Sequence, residues 1–333
     1  MKALVTGGGG FLGGVIVRML RARGDDVTVF GRNRYPAVEA LGARSVVGDV
    51  RDADAVMRAC AKRDTVFHVA AIPGIWGPRR MYFEINYEGT RNVLAACRAC
   101  GVRRLVYTSS PSVVLSDGPI SGANESLPYP SRYLTAYPES KAAAERAVLT
   151  ANDSKLQTVA LRPHLIVGPG DPHLMPRILE RARRRRLVQV GDGRNRVDLT
   201  DVDDAARAHL LAADELGRGA RCAGRAYFLS QGEPVVLWTW LADVLARVGA
   251  PPITRRLSHR AARALGVACE GVYAALRLRG EPPMTRFLAD QLALDHFFDI
   301  SAARRDFGYA PGIRMSETTA RVVASLAPPT DAA

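Results

Sequence analysis

Lysine is nearly missing from this chain. Of its 333 residues 46 are basic, but lysine stands only at positions 2, 62, 141 and 155, and the rest are arginine. The formal net charge of +13 is spread along the sequence. It forms no basic stripe interleaved with aromatics of the kind a nucleic-acid reader needs, so no nucleic-acid partner is expected. Its densest run, Arg181–Arg186, closes an amphipathic helical pattern (Met175, Ile178, Leu179, Ala182), where cations suit the helix dipole. Cysteine is sparse too: five thiols, an odd number, exclude a disulfide framework and suit a reducing cytoplasm. Cys97-Arg-Ala-Cys100 has no second pair and sits late in a helical run, so packing is expected and no metal. Long hydrophobic runs are also lacking: none reaches membrane-spanning length, and Lys2 leads directly into a strand rather than a signal peptide. A cytoplasmic protein follows, with no transmembrane segment and at most peripheral contact with a membrane.

What is present alternates. Leu4–Thr6, Val27–Phe30, Ser45–Val47, Thr65–Val69, Leu105–Thr108 and Gln157–Leu161 read as strands. Phe11–Arg23, Ala53–Lys62, Asn86–Ala99 and Glu139–Leu149 read as helices between them. That order predicts an α/β fold, a Rossmann-type doubly wound parallel sheet. Residues 1–165 form its nucleotide-binding body. Residues 166–327 form a smaller mixed substrate-binding part with segments returning to the body, such as the strand Ala226–Leu229, and 328–333 a disordered tail.

Two motifs carry chemistry. Thr6-Gly7-x-x-Gly10-Phe11-Leu12-Gly13 joins the first strand to the first helix, where glycines allow a tight turn, close approach of backbone to a pyrophosphate and close helix–strand packing. About 130 residues on, Tyr137-Pro-Glu-Ser-Lys141 sets a phenol and an amine on one helix face. Reducing a carbonyl needs a proton at its oxygen, and a phenol near pKa 10 needs a neighbouring cation to deliver one at neutral pH. In a chain that writes arginine almost everywhere, Lys141 is the compact, tunable amine for that role. Ser110, in the hydroxyl cluster after the fifth strand, is the expected hydrogen-bond donor to the substrate oxygen, with Ser112 second. At the end of the second strand no acid awaits a ribose; Arg32 and Arg34 stand there and could grip a 2′-phosphate, so NADPH is the expected cofactor. Asp49 and Val50 are placed toward the adenine, and Ala70 and Ala71 where small side chains let the cofactor lie flat.

These stretches resemble the extended short-chain dehydrogenase/reductases, in their 3β-hydroxysteroid dehydrogenase-like branch. The likeness runs through His68-Val-Ala-Ala71, Asn86–Asn92, Val106–Ser110, Leu161-Arg-Pro163, Gly168-Pro-Gly-Asp171 and Asp306–Pro311. Arg34–Ala37, Gly168–Leu174 and Pro282–Leu288 most resemble the 2-alkyl-3-oxoalkanoate reductases of bacterial long-chain olefin and β-lactone biosynthesis. The resemblance implies a catalytic Ser110, Tyr137 and Lys141, Pro163 at the cofactor, and NADPH reduction of a long-chain branched β-keto acid to a 2-alkyl-3-hydroxyalkanoate. It also implies a homodimer through Asn86–Ala99 and Glu139–Leu149, and association with other enzymes of the same lipid pathway. A sterol dehydrogenase, a nucleotide-sugar epimerase or dehydratase, and a non-enzymatic NADPH sensor are the rivals. Val167 and Val202-Asp-Asp204 depart from the pattern on the substrate side. Ile75, Trp76 and His164 are the expected substrate contacts. The apolar run Ala264–Leu276, flanked by arginines, is expected as a core helix, with a lipid-facing role as its alternative.

Overall fold

In the computed structural model residues 1–115 and 118–327 are described; the expected tail from 328 lies outside them. Seven apolar segments bounded by turns pair in one parallel sheet: β1 (Lys2–Thr6), β2 (Asp26–Gly31), β3 (Arg44–Val47), β4 (Thr65–His68), β5 (Arg104–Thr108), β6 (Gln157–Pro163) and β7 (Arg225–Leu229). Their order is β7-β6-β5-β4-β1-β2-β3. The order reverses between β1 and β4, the place where such sheets take ligands beyond the strands' carboxyl ends. Neighbouring residues of one strand enter opposite cores. Val5, Val29, Phe67 and Val106 face one helical layer, and Leu4, Phe30, Val66 and Leu105 the other. Burial on both faces is why these strands read as continuous apolar runs.

The halves exchange elements. β7 returns to pair with β6, and the helix Val202–Leu216 packs on the helix Phe11–Ala22. In the other direction Ile120–Ala123 leaves the first half for a mixed sheet with Val235–Val236, Arg196–Val197 and His296–Phe298. A separate core of Val197, Trp238, Trp240 and Leu241 fills the space beneath that sheet.

Two elements differ from expectation. The helix predicted to run unbroken from Asn86 opens instead as a π-helix, Phe83–Glu88, before the α-helix Gly89–Ala99. The wider turn lies where Asn86 reaches across to Ile72, at a functional edge of the sheet. The run Ala264–Leu276 is no core helix. It belongs to an outer helix, His259–Ala275, of which only Ala262, Gly266 and Glu270 are buried. That helix packs on its small residues: a Cβ on Gly266 would stand 2.7 Å from the Thr285 carbonyl carbon. Its Leu265, Val267 and Val272 side chains are left outside.

Candidate active site

Gly7 follows β1 with φ at +69° and donates its N–H to the Phe30 carbonyl at 2.9 Å. A Cβ there would lie 2.9 Å from the Ala70 backbone, and one on Gly13 would lie 2.2 Å from the Gly7 carbonyl oxygen. Neither position accepts a side chain. Gly10 caps the helix Phe11–Ala22 without a side-chain acceptor, and no acid occupies its first turn. The positive helix end is therefore left for an outside anion, and the cradle fits a pyrophosphate. Tyr35 roofs this turn: a Cβ on Gly9 would fall 2.1 Å from its ring, and one on Gly31 2.7 Å from its hydroxyl. No sequence signal marks Tyr35 for that place.

Ser110 leaves the end of β5 and caps the short turn Pro111–Val114. Its Oγ accepts the Ser112 N–H at 3.2 Å and lies 2.9 Å from the Ser112 hydroxyl. The Ser110 hydroxyl lies near enough to the Tyr137 phenol to favour its ionised form. Tyr137 and Pro138 sit in the first turn of the helix Ala136–Thr150, where the missing proline N–H costs nothing. One turn on, Lys141 is only 2% exposed. Its Nζ donates to the Thr108 carbonyl at 2.6 Å and lies 4.2 Å from the centre of the Tyr107 ring. Burial brings the Lys141 ammonium down to about 7. Burial also pushes the Tyr137 phenol up, and the nearby Ser110 hydroxyl draws it partly back. The hydroxyls thus stand partly exposed with the amine behind them.

A buried chain of hydrogen bonds ties the two motifs together. Thr6 Oγ1 accepts the Ala70 N–H and donates to His68 Nδ1 at 2.7 Å; His68 Nε2 donates to Thr90 Oγ1 at 2.9 Å; Thr90 donates to the Asn86 carbonyl at 2.6 Å. The Asn86 amide then reaches Ser140 Oγ at 3.1 Å, and Ser140 donates to the Tyr137 carbonyl at 2.8 Å. Burial, helped by the Lys141 charge, holds His68 down at about 3, so the imidazole is neutral, as this chain of donors requires. Behind the helix, Arg162 pairs bidentately with Glu145 at 2.6 and 3.0 Å, and the Tyr129 hydroxyl donates to the same carboxylate.

At the rim, Arg34 is paired with Glu39, while Arg32 has no hydrogen-bond or ion-pair partner among the described residues. Asp49 is held by Arg51 at 2.7 and 3.0 Å, which lowers its pKa and keeps it an ionised acceptor. Val50 is buried against Gly89, Ala70 and Ala71 border the turn half-exposed, and Pro163 closes β6. His164 does not join the substrate contacts. It is 4% exposed, and its two ring nitrogens are engaged by the Asp198 carbonyl at 2.7 Å and by His296 at 3.1 Å. The chain turns it into the second sheet rather than toward Tyr137. Of the apolar loop after β4, Ile75 is half-buried and Trp76 meets Tyr273 of the outer helix edge-on at 6.5 Å. Tyr82 donates to the Trp76 carbonyl and touches the Tyr137 ring at 6.4 Å. The acids of Val202-Asp-Asp204 are structural: Asp204 is fully buried on Gln231 and the Gly312 and Ile313 N–H groups. Two surface hollows of about 500 and 560 Å³ lie elsewhere and include none of Ser110, Tyr137 or Lys141.

A phosphate cradle and a Ser–Tyr–Lys cluster on one carboxyl edge of a doubly wound sheet define a short-chain dehydrogenase/reductase, an oxidoreductase class built around a nicotinamide nucleotide. More narrowly, the chain belongs to the 3-beta hydroxysteroid dehydrogenase/isomerase family, which matches residues 4–257. It is 49% identical to a 2-alkyl-3-oxoalkanoate reductase of Stenotrophomonas maltophilia, over 98% of this chain and 100% of that protein. It is 33% identical to the mouse sterol-4-alpha-carboxylate 3-dehydrogenase, decarboxylating, over 98% of this chain and 91% of that one. Among solved structures it resembles MoeE5 in complex with UDP-glucose and NAD, with a TM-score of 0.75 at 26% identity over 98% of each chain.

Proposed function

We propose that the protein reduces a 2-alkyl-3-oxoalkanoate to the 2-alkyl-3-hydroxyalkanoate with NADPH, in a lipid pathway leading to an olefin or a β-lactone. The observation that carries this is the Ser110 hydroxyl beside the Tyr137 phenol, on a helix whose next turn carries the buried Lys141. When bound, NADPH supplies the hydride for the C3 ketone. Tyr137 gives its phenolic proton to the ketone oxygen as charge develops there, and Ser110 donates a hydrogen bond that fixes the oxygen at that phenol. Lys141 sets its positive charge behind the phenol and holds the end of β5 through the Thr108 carbonyl. The backbone of Gly7 to Gly13 would hold the pyrophosphate, and unpaired Arg32, with Arg34, would hold a 2′-phosphate.

The two relatives' names support the substrate class. Each describes a carboxylate on the carbon next to the one oxidised or reduced, in one case on an alkyl chain and in the other on a sterol. We also propose that the chain works as a homodimer through Asn86–Ala99 and Glu139–Leu149, beside other enzymes of its pathway. The test is NADPH consumption with a synthetic long-chain 2-alkyl-3-oxoalkanoate, with NADH and Tyr137→Phe in parallel. NADPH-preferring turnover that Tyr137→Phe lowers by about 10² to 10⁴ supports the reading. Oxidation of a sterol with NADP, and no turnover of the keto acid, sinks it.

A further inference from the structure

Nine large apolar side chains are exposed among the described residues, and five of them, Leu265, Val267, Val272, Leu276 and Leu278, fall in one stretch at the outer helix. Between Ala264 and Leu276 the sole charged residue is Glu270, which is buried and bonded to Arg286 at 2.8 Å. From Ala264 to Ala275 the outward face of the helix therefore carries no charge; Arg263, one residue before, is half-buried and lies 3.7 Å from Asp290. At its two ends stand Arg260, Arg277 and Arg279, all exposed and without hydrogen-bond or ion-pair partners among the described residues. Across the edge contact of Trp76 with Tyr273, the helix adjoins the loop whose Trp76 carbonyl accepts the hydroxyl of Tyr82, the neighbour of the Tyr137 ring. Exposed Met81 lies beside Tyr82 in the short helix Arg79–Tyr82.

We propose that this face docks the protein on an anionic lipid surface, the helix lying in the plane of the interface. An uncharged apolar face ending in unpaired arginines matches the acyl boundary below and the phosphate headgroups at its margins. Insertion across the bilayer is excluded for the described helices, since none is long and apolar enough to cross a membrane. A net charge of +13 adds long-range attraction of the same sign. Docking here would set the Trp76–Tyr273 contact at the lipid boundary, so that an alkyl chain could enter from the bilayer toward Tyr137. This use rests on the reductase reading; the docking does not.

The experiment is co-sedimentation of the full chain with vesicles of phosphatidylcholine and phosphatidylglycerol, and with phosphatidylcholine alone. Wild type is expected on the anionic vesicles. Arg277→Gln with Arg279→Gln should weaken that partition by about fivefold per arginine. Leu265→Glu with Val272→Glu should abolish it while leaving circular dichroism and particle mass in sedimentation equilibrium unchanged. Absence of wild-type binding, or equal binding by the glutamate variant, overturns the proposal. So does a fall in particle mass in that variant, which would make the face an interface between copies of the chain. The readout involves no substrate, so failure of the reductase reading would leave it intact.

Discussion

Lys141→Met should make the protein more stable at low pH while destroying its chemistry. Lys141 is 2% exposed, and burial moves its ammonium from an ordinary 10.5 to about 7. The unfolded chain therefore binds a proton between about pH 7 and 10.5 that the folded chain does not, and stability rises with pH through that window. At about 1.4 kcal/mol per pH unit, the charged amine costs the folded state about 5 kcal/mol at pH 6 and about 2 kcal/mol at pH 9. Methionine has no proton to lose, so the wild type should gain about 3 kcal/mol on the variant between those pH values. The variant also gives up the hydrogen bond to Thr108 and the contact with the Tyr107 ring. Together these are worth about 2 kcal/mol. The variant is thus expected to be more stable at pH 6 by about 3 kcal/mol and level with wild type near pH 9. Urea unfolding of both proteins at pH 6, 7.5 and 9, with unchanged m-values, measures the difference. Parallel pH curves for the two proteins would refute the reasoning, because they would mean that the amine keeps its ordinary affinity for protons when folded.

Arg162→Met leaves Glu145 charged at 0% exposure, and urea midpoints should show a loss of about 3 to 5 kcal/mol, the cost of breaking a buried pair from one side. Arg32→Ala should raise the KM for NADPH about tenfold or more with little change for NADH, as steady-state kinetics would show, since a charge-assisted contact to a phosphate is worth about 1.5 to 3 kcal/mol. Gly13→Ala forces a Cβ to 2.2 Å from the Gly7 carbonyl oxygen and should abolish cofactor binding in a fluorescence titration.

How much of this was legible in the sequence depends on how local the encoding is. The seven strands could be read because both faces are buried and each run is bounded by turns, and Gly7, Gly13, Tyr137 and Lys141 because one turn and one helix period set their spacing. The chain Thr6–His68–Thr90–Asn86–Ser140 could not. It draws one residue from each of several elements, and no fixed spacing marks the set; a buried asparagine in a helical run is the one trace it leaves. His164 misled for a related reason. A histidine just after a strand's carboxyl end reads as a ligand-edge residue, but Leu165, with φ at +36°, follows where the chain turns to the second sheet, and His164 is spent on His296 and Asp198. The outer helix inverts the ordinary rule. Gly266 is inside because its missing side chain lets the backbone approach Thr285, and Ala262 is buried one turn earlier, while Leu265 and Val272 are outside. A helix that leaves Leu265, Val267 and Val272 exposed on one uncharged stretch runs against the hydrophobic effect in water alone. That local conflict is the physical reason to look for a non-aqueous neighbour there, and it is the same face that the arginines bracket.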